Sequence, residues 1–241
     1  MTSQTKLLPW IPIGLAALLA SGCTVDAGDS LFLLHNKAPD ENCTIPVEKD
    51  ALFLSSGLLD AQYGFAYTFT PLVESRTRII DENDPLERAI LIEGAEIELE
   101  LPDGVSVAAD ATRFTQRFSG TLEPGALSAF SFDIIPPVVT MAIGNTLQVG
   151  ERAQVLAKIK VFGKLGNGTV ESPQFTYPVQ VCNGCIPVQL CASYKSPGML
   201  CLPGQDRFEP NCCIDAAGAL VCPVPPGSGT DTGGQMRGRG R

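Results

Sequence analysis

Apolar and polar side chains alternate with a two-residue period through most of the chain between residues 51 and 182. The clearest run is residues 89–101, where Ala95, Ile97, Leu99 and Leu101 stand opposite Glu96, Glu98 and Glu100. That is the period of a strand with one buried face. Phe65, Tyr67, Phe69 and Val73 are set in the same way against Thr68, Thr70 and Glu74, and Phe130, Phe132 and Ile134 against Ser131 and Asp133. Val155, Ala157, Ile159 and Val161 alternate with Lys158 and Lys160, and Phe175, Tyr177, Val179 and Val181 with Thr176 and Gln180. Shorter strands are predicted at residues 31–34, at 51–54 and 58–60 around Gly57, and about Phe114 and Phe118. Turn residues separate these runs: Asp103-Gly104, Glu123-Pro124-Gly125, Pro136-Pro137 and the hairpin signal Gly166-Asn167-Gly168. With many strands and no long helical period beyond the N-terminal segment, the expected fold is all-β, an antiparallel Ig-like β-sandwich over residues 43–182. An antibody-type core tryptophan is not expected, since the sole tryptophan is Trp10.

The N-terminal segment has Lys6, an apolar run over residues 7–20 and small residues after it, the layout of a secretory signal. The run is shorter than the roughly 20 residues a membrane helix needs, and Pro9 and Pro12 interrupt it. Leu18-Leu19-Ala20-Ser21-Gly22-Cys23 resembles the lipobox of bacterial lipoproteins. The resemblance implies removal of residues 1–22 and acylation of Cys23, which anchors the chain in a membrane. Thr24 stands where an inner-membrane retention signal would have Asp, so the outer membrane is expected. An ordinary secretory cut that leaves Cys23 as a plain thiol is the competing reading.

Composition sharpens the compartment. The chain has 17 Lys and Arg against 26 Asp and Glu, a formal charge of −9, and loss of Lys6 with the signal makes it more acidic still. An acidic chain is repelled by phosphate, and no nucleic-acid partner is expected. The tail Arg237-Gly238-Arg239-Gly240-Arg241 reads as a solvated end of the Gly/Pro/Arg-rich stretch 223–241. Residues 23–42 read as an acidic tether and a first strand.

Beyond Cys23, eight cysteines remain: Cys43, Cys182, Cys185, Cys191, Cys201, Cys212, Cys213 and Cys222. An even set in an exported chain reads as a disulfide framework, with 105 possible connectivities. Seven of them fall within residues 182–222, so residues 183–222 are expected to form a small disulfide-rich C-terminal appendage. Because seven is odd, at least one must pair outside that segment, and Cys43 is the candidate within the chain.

Little catalytic chemistry can be assembled. His35 is the only histidine and reads as a surface or rim residue. Asp81-Glu82-Asn83-Asp84-Pro85 matches no EF-hand loop and reads as a solvated turn. Cys182-Asn183-Gly184-Cys185 has the CxxC spacing of a redox dithiol, but no helix start is indicated after it to depress a thiol pKa. No metal site and no cofactor are expected.

Taken together, the lipobox, Cys43-Thr44-Ile45-Pro46, Pro178 through Cys185, and Pro203-Gly204-Gln205-Asp206 before further cysteines resemble uncharacterised lipoproteins of myxobacteria and related predatory bacteria. The resemblance implies source and architecture and carries no activity. The expected role is non-enzymatic: a lipid-anchored cell-envelope protein, structural or binding another envelope protein. The alternatives are an envelope thiol oxidoreductase using Cys182 and Cys185, and a surface adhesin.

Overall fold

Nearly every alternating stretch folds as a strand. The structure is a computed structural model that describes residues 30–40, 43–63, 66–79, 86–186, 189–190, 202, 204–206, 213–214, 216–217 and 220–221. In chain order the elements are β1 (Leu31–Lys37), β2 (Phe53–Leu54), β3 (Gly57–Asp60), β4 (Tyr67–Phe69), β5 (Pro71–Ser75), β6 (Ile90–Glu100), α1 (Ala109–Thr112), β7 (Arg113–Leu122), β8 (Leu127–Ala129), β9 (Phe132–Ile135), α2 (Pro137–Gly144), β10 (Arg152–Leu165), β11 (Gly168–Glu171) and β12 (Phe175–Cys182). Three two-residue strands follow: β13 (Gln189–Leu190), β14 (Cys213–Ile214) and β15 (Leu220–Val221).

Two layers result. One has the order β2-β1-β5-β8, and the other β3-β12-β10-β6-β7 with β11 beside the far end of β10. Pairing of β4 with β9 continues the β5–β8 pairing across the short breaks at Thr70 and at Phe130-Ser131. The chain crosses between layers after β2, β3, β5, β7 and β9, and β3 closes one edge by pairing parallel to β12. Antiparallel hairpins, inter-layer crossings and a parallel edge pairing of β3 with the last strand of the sandwich, β12, define an Ig-like sandwich. Residues β13 to β15 form a separate three-stranded sheet in the cysteine-rich segment.

The β10–β11 hairpin turns at Gly166 and Asn167. Leu165 pairs with Gly168, and only Gly166 has a positive φ, 58°. Glycine at the first of two loop residues is the II′ arrangement, whose twist suits a hairpin. After β11 the strand breaks at Ser172, whose hydroxyl accepts the Val161 N–H at 3.0 Å, and resumes as β12.

Core residues come from both layers. Leu31, Leu33, Phe69 and Val73 share one buried cluster with Ile97, Val155, Ile159 and Val179. The Phe69 ring lies 5.0 Å from Tyr177, 5.8 Å from Phe132 and 6.0 Å from Phe175, which joins the layers through aromatic contacts.

Four features depart from the sequence pattern. β1 is a full member of the first sheet, so the sandwich begins at Leu31 rather than at residue 43. Thr70, expected to face solvent, is buried. Its N–H and hydroxyl turn to Asn36 Oδ1 at 2.8 and 3.0 Å, while Phe69 and Val73 on either side join the core cluster. In β6 a bulge at Gly94 changes the inward set from Ile90 and Ile92 to Ala95, Ile97 and Leu99. Pro136 ends β9 as expected, but Pro137 then starts the unpredicted helix α2, proline being suited to a first helical position.

The acidic row faces outward as expected, though not alone. Glu98 pairs with Arg113 at 2.5 Å and Glu100 with Lys158, so neighbouring strands neutralise it. Exposed pairs of this kind add little stability.

Phe69→Ala is expected to cost about 3–5 kcal/mol, since it deletes a fully buried ring at the layer junction. Leu91→Ala, at a side chain 49% exposed, is expected to stay within about 0.5 kcal/mol. Urea unfolding of the two variants checks the contrast.

Candidate functional site

Three-residue stretches of the cysteine-rich segment reach back onto the open edge of the sandwich, and there the chain concentrates its buried polar chemistry. Gly204, Gln205 and Asp206 lie antiparallel to β3. The Asp60 N–H donates to Gly204 O at 3.0 Å, the Asp206 N–H donates to Leu58 O at 2.8 Å, and Leu59 bridges Gln205. On its other side Gln205 faces β4. Its Oε1 accepts the Thr68 N–H and its Nε2 donates to Thr68 O, both at 2.8 Å. The side-chain amide thus behaves as an extra peptide group. Residues 204–206 thereby stitch β3 of one layer to β4 of the other.

Asp206 completes this seam with a left-handed backbone, φ 58°, which Asp tolerates better than most residues. Its Oδ1 accepts the Leu58 N–H at 2.8 Å, and its Oδ2 accepts the Tyr67 hydroxyl at 2.8 Å and Gln205 Nε2 at 3.2 Å. Because Tyr67 gives its one proton to Asp206, it must accept from Tyr177, whose oxygen lies 3.1 Å away. Asn36 Nδ2 donates to Tyr67 at 3.2 Å and to Tyr177 at 2.9 Å, while Asn36 Oδ1 receives Thr70. Every polar atom of Asn36 is therefore used. Burial drives the Asp206 pKa up to about 6 against the opposing pull of its donors. The same burial raises the Tyr177 hydroxyl to about 12 and Tyr67 well above its usual value.

Gly57 makes room for this network. A Cβ there would sit 2.4–2.5 Å from the Tyr67 ring.

A second buried carboxylate, Asp60, anchors the CxxC loop. Its Oδ1 accepts the N–H groups of Gln62 at 3.0 Å and Gly184 at 2.9 Å, and its Oδ2 accepts that of Ile186 at 2.8 Å. Cys182 and Cys185 are bonded to each other in a disulfide, and Cys182 is fully buried. The residues between them are structural as well. Asn183 Nδ2 donates to Leu147 O at 2.9 Å, and Gly184 adopts φ 71° beneath the Gln62 amide. One oxygen of Asp60 and the two sulfurs lie within 4.8 Å of one another. The disulfide consumes the sulfur donors, so this trio offers a metal no thiolate. A carboxylate so close also disfavours a thiolate leaving group at Cys182, which opposes reduction.

Cys43, with φ 63°, is disulfide-bonded as well. Its loop is held by buried Lys37, whose Nζ donates to Lys49 O at 3.0 Å and Ala51 O at 2.6 Å. His35 sits at the rim, stacked on Phe53 at 4.9 Å. Burial first, then Lys37, lowers its pKa, and Nε2 has no hydrogen-bond partner among the described residues. Among the described residues no nucleophile or carboxylate is brought to it. Cys23, Cys191, Cys201, Cys212 and Cys222, the acidic turn at residues 81–85 and the tail at 223–241 lie outside the described residues, and of Cys213 only the backbone is described.

No protein-family model matches the chain, and no curated protein matches it. A solved protein from Archaeoglobus fulgidus is similar over 54% of this chain and 88% of its own length, at 17% identity and a TM-score of 0.31.

Sequence reasoning singled out Gly204-Gln205-Asp206 as part of a motif without assigning it a role, and missed Asn36, Asp60 and Lys37 as anchors. Gly57→Ala is expected to destabilise the fold by about 1–3 kcal/mol by displacing Tyr67. Gly168→Ala, which meets no atom closer than 3.6 Å, serves as its control in the same denaturant titration. Asp60→Asn is expected to speed reduction of the Cys182–Cys185 disulfide by dithiothreitol, read by thiol trapping and mass spectrometry. An unchanged rate would show that the carboxylate does not protect the bond.

Proposed function

We propose that this chain is a lipid-anchored protein of the bacterial cell envelope, of the myxobacterial type, with a non-enzymatic structural or protein-binding role. The observation that carries the reading is where the buried polar groups point. Asn36, Asp60, Gln205 and Asp206 are each committed to hydrogen bonds that hold chain segments to one another. A titratable carboxyl near pH 6 inside a cavity would suggest acid–base chemistry. Here the partners of that carboxyl among the described residues are the Leu58 N–H, the Tyr67 hydroxyl and the Gln205 amide. The disulfides at Cys182–Cys185 and at Cys43 suit an oxidising compartment, as an exported chain requires. The lipobox ending at Cys23 supplies the anchor, with Thr24 directing the chain to the outer membrane.

The Cys182–Cys185 disulfide is also what the oxidised active site of a thiol oxidoreductase would hold, the second reading. Its buried Cys182, the carboxylate beside it and its structurally committed central residues favour a staple over a shuttle.

Mass spectrometry of the purified native protein is expected to find residues 1–22 removed and fatty acyl chains on Cys23, with Cys23→Ala abolishing partition into the detergent phase. An unmodified Cys23, free or in a disulfide, would overturn the anchor. Rapid exchange of the Cys182–Cys185 bond with a reduced dithiol protein would replace the structural role by the redox one.

A further inference from the structure

We infer that the end of the sandwich at which the chain enters is a membrane-apposed face: Ile79 and Leu86 rest against the lipid bilayer that holds the Cys23 acyl chains, and the end carrying the Cys182–Cys185 loop stands away from it. The inference rests on the lipid-anchor reading of Cys23. Strand connections fix which residues share that end. Ser30, just before β1, accepts the Arg76 N–H at 2.9 Å. Just after β5, the Thr77 hydroxyl donates to Arg88 O at 3.0 Å, so the segment leaving β5 meets the segment entering β6. Ile79 and Leu86 each lie two residues beyond that contact, and they are 54% and 55% exposed. Ile90 pairs with Leu122 and with Leu165, which brings the end of β7 and the β10–β11 hairpin to the same place. At the other end of β10, Arg152 pairs with Cys182, and the Gly150 N–H donates to Asn183 O at 2.7 Å. Val149, 79% exposed, therefore belongs to the opposite end.

The length of the tether decides which end meets the bilayer. Ser30 is the seventh residue after Cys23, and seven residues span at most about 25 Å. The fourteen residues of β10 set the two ends of the sandwich roughly 45 Å apart. An inverted domain would hold Ser30 farther from the bilayer than the tether reaches. Apolar contact, rather than charge, then brings this end down. Arg76, Arg78 and Arg88 are matched there by Glu87 and Glu123, and the sequence between Ile79 and Leu86 is acidic. A face of mixed sign gains little from anionic headgroups. Exposed apolar side chains gain in proportion to the area they take from water, and a surface anchor needs only shallow burial at the headgroup boundary.

Tryptophan fluorescence tests this, because Trp10 leaves with residues 1–22 and the mature chain has no other tryptophan. Full-length Leu86→Trp and Val149→Trp proteins, produced with their own signal, are reconstituted into phosphatidylcholine vesicles with and without lipid brominated near the headgroup, and flotation measures binding. Emission of Leu86→Trp is expected to shift to shorter wavelength on the vesicles and to fall about twofold with the brominated lipid, as for an indole at the membrane interface. High salt is expected to leave that quenching unchanged, and Val149→Trp is expected to show neither effect. Ile79→Trp is expected to behave as Leu86→Trp does, which keeps the test available should Leu86→Trp not fold. Protein that does not float with the vesicles overturns the anchor reading and this inference with it. Protein that floats while Leu86→Trp and Ile79→Trp are quenched no more than Val149→Trp overturns the membrane-apposed face alone.

Discussion

Everything at the open edge of the sandwich depends on one hydrogen bond, from the Tyr67 hydroxyl to Asp206. It decides the direction of the bonds behind it, because a tyrosine that gives its proton forward can only accept from Tyr177 and Asn36. That network passes through β1, β4 and β12, and so through both layers. A buried polar network with every member satisfied specifies one arrangement of the elements it joins, and a partly satisfied one is costly. Here the network extends to residues 204–206, which begin 22 residues beyond the end of β12 at Cys182, so folding of the sandwich and placement of this segment are coupled.

The two carboxylates divide the work of β3. Asp60 collects three N–H groups around the CxxC loop, and Asp206 collects donors from the seam. An edge strand with unpaired backbone groups is a hazard for unwanted pairing. In this chain β3 is covered by β12 on one side and by residues 204–206 on the other. Disulfides reinforce the arrangement at both ends, at Cys43 and at Cys182–Cys185. A domain built this way has its polar interior committed to connection, which is why the proposed role is structural or protein-binding.

Alternation alone made the strands legible. β10 and β12 carry long unbroken periods, and β6 one on either side of Gly94, because each has one buried and one wet face, and the hairpin at Gly166 and Asn167 announced itself by turn chemistry. The pattern failed where a side chain met a partner far away in sequence. Thr70 reads as a solvent residue and is buried because Asn36, 34 residues earlier, accepts its hydrogen bonds. The Gly94 bulge shifts the inward face, and a period carries no sign of where it slips. Eight residues of α2 are too few to declare a helical period.

What the sequence determined by itself was the class of fold, the strand positions, the turns and the parity of the cysteines, since each rests on local chemistry or on counting. Its leader also carries the resemblance on which the proposed anchor rests. Tertiary structure alone decided that Cys182 pairs with Cys185, that Asp60 anchors the loop this bond closes, and that Gly204-Gln205-Asp206 closes the seam. The physical reason is distance along the chain: Tyr67 and Asp206 are 139 residues apart, and no local pattern records that a hydroxyl and a carboxyl will meet. An aspartate in a Gly-Gln-Asp stretch of a cysteine-rich loop looks like a turn residue until the fold removes water from it.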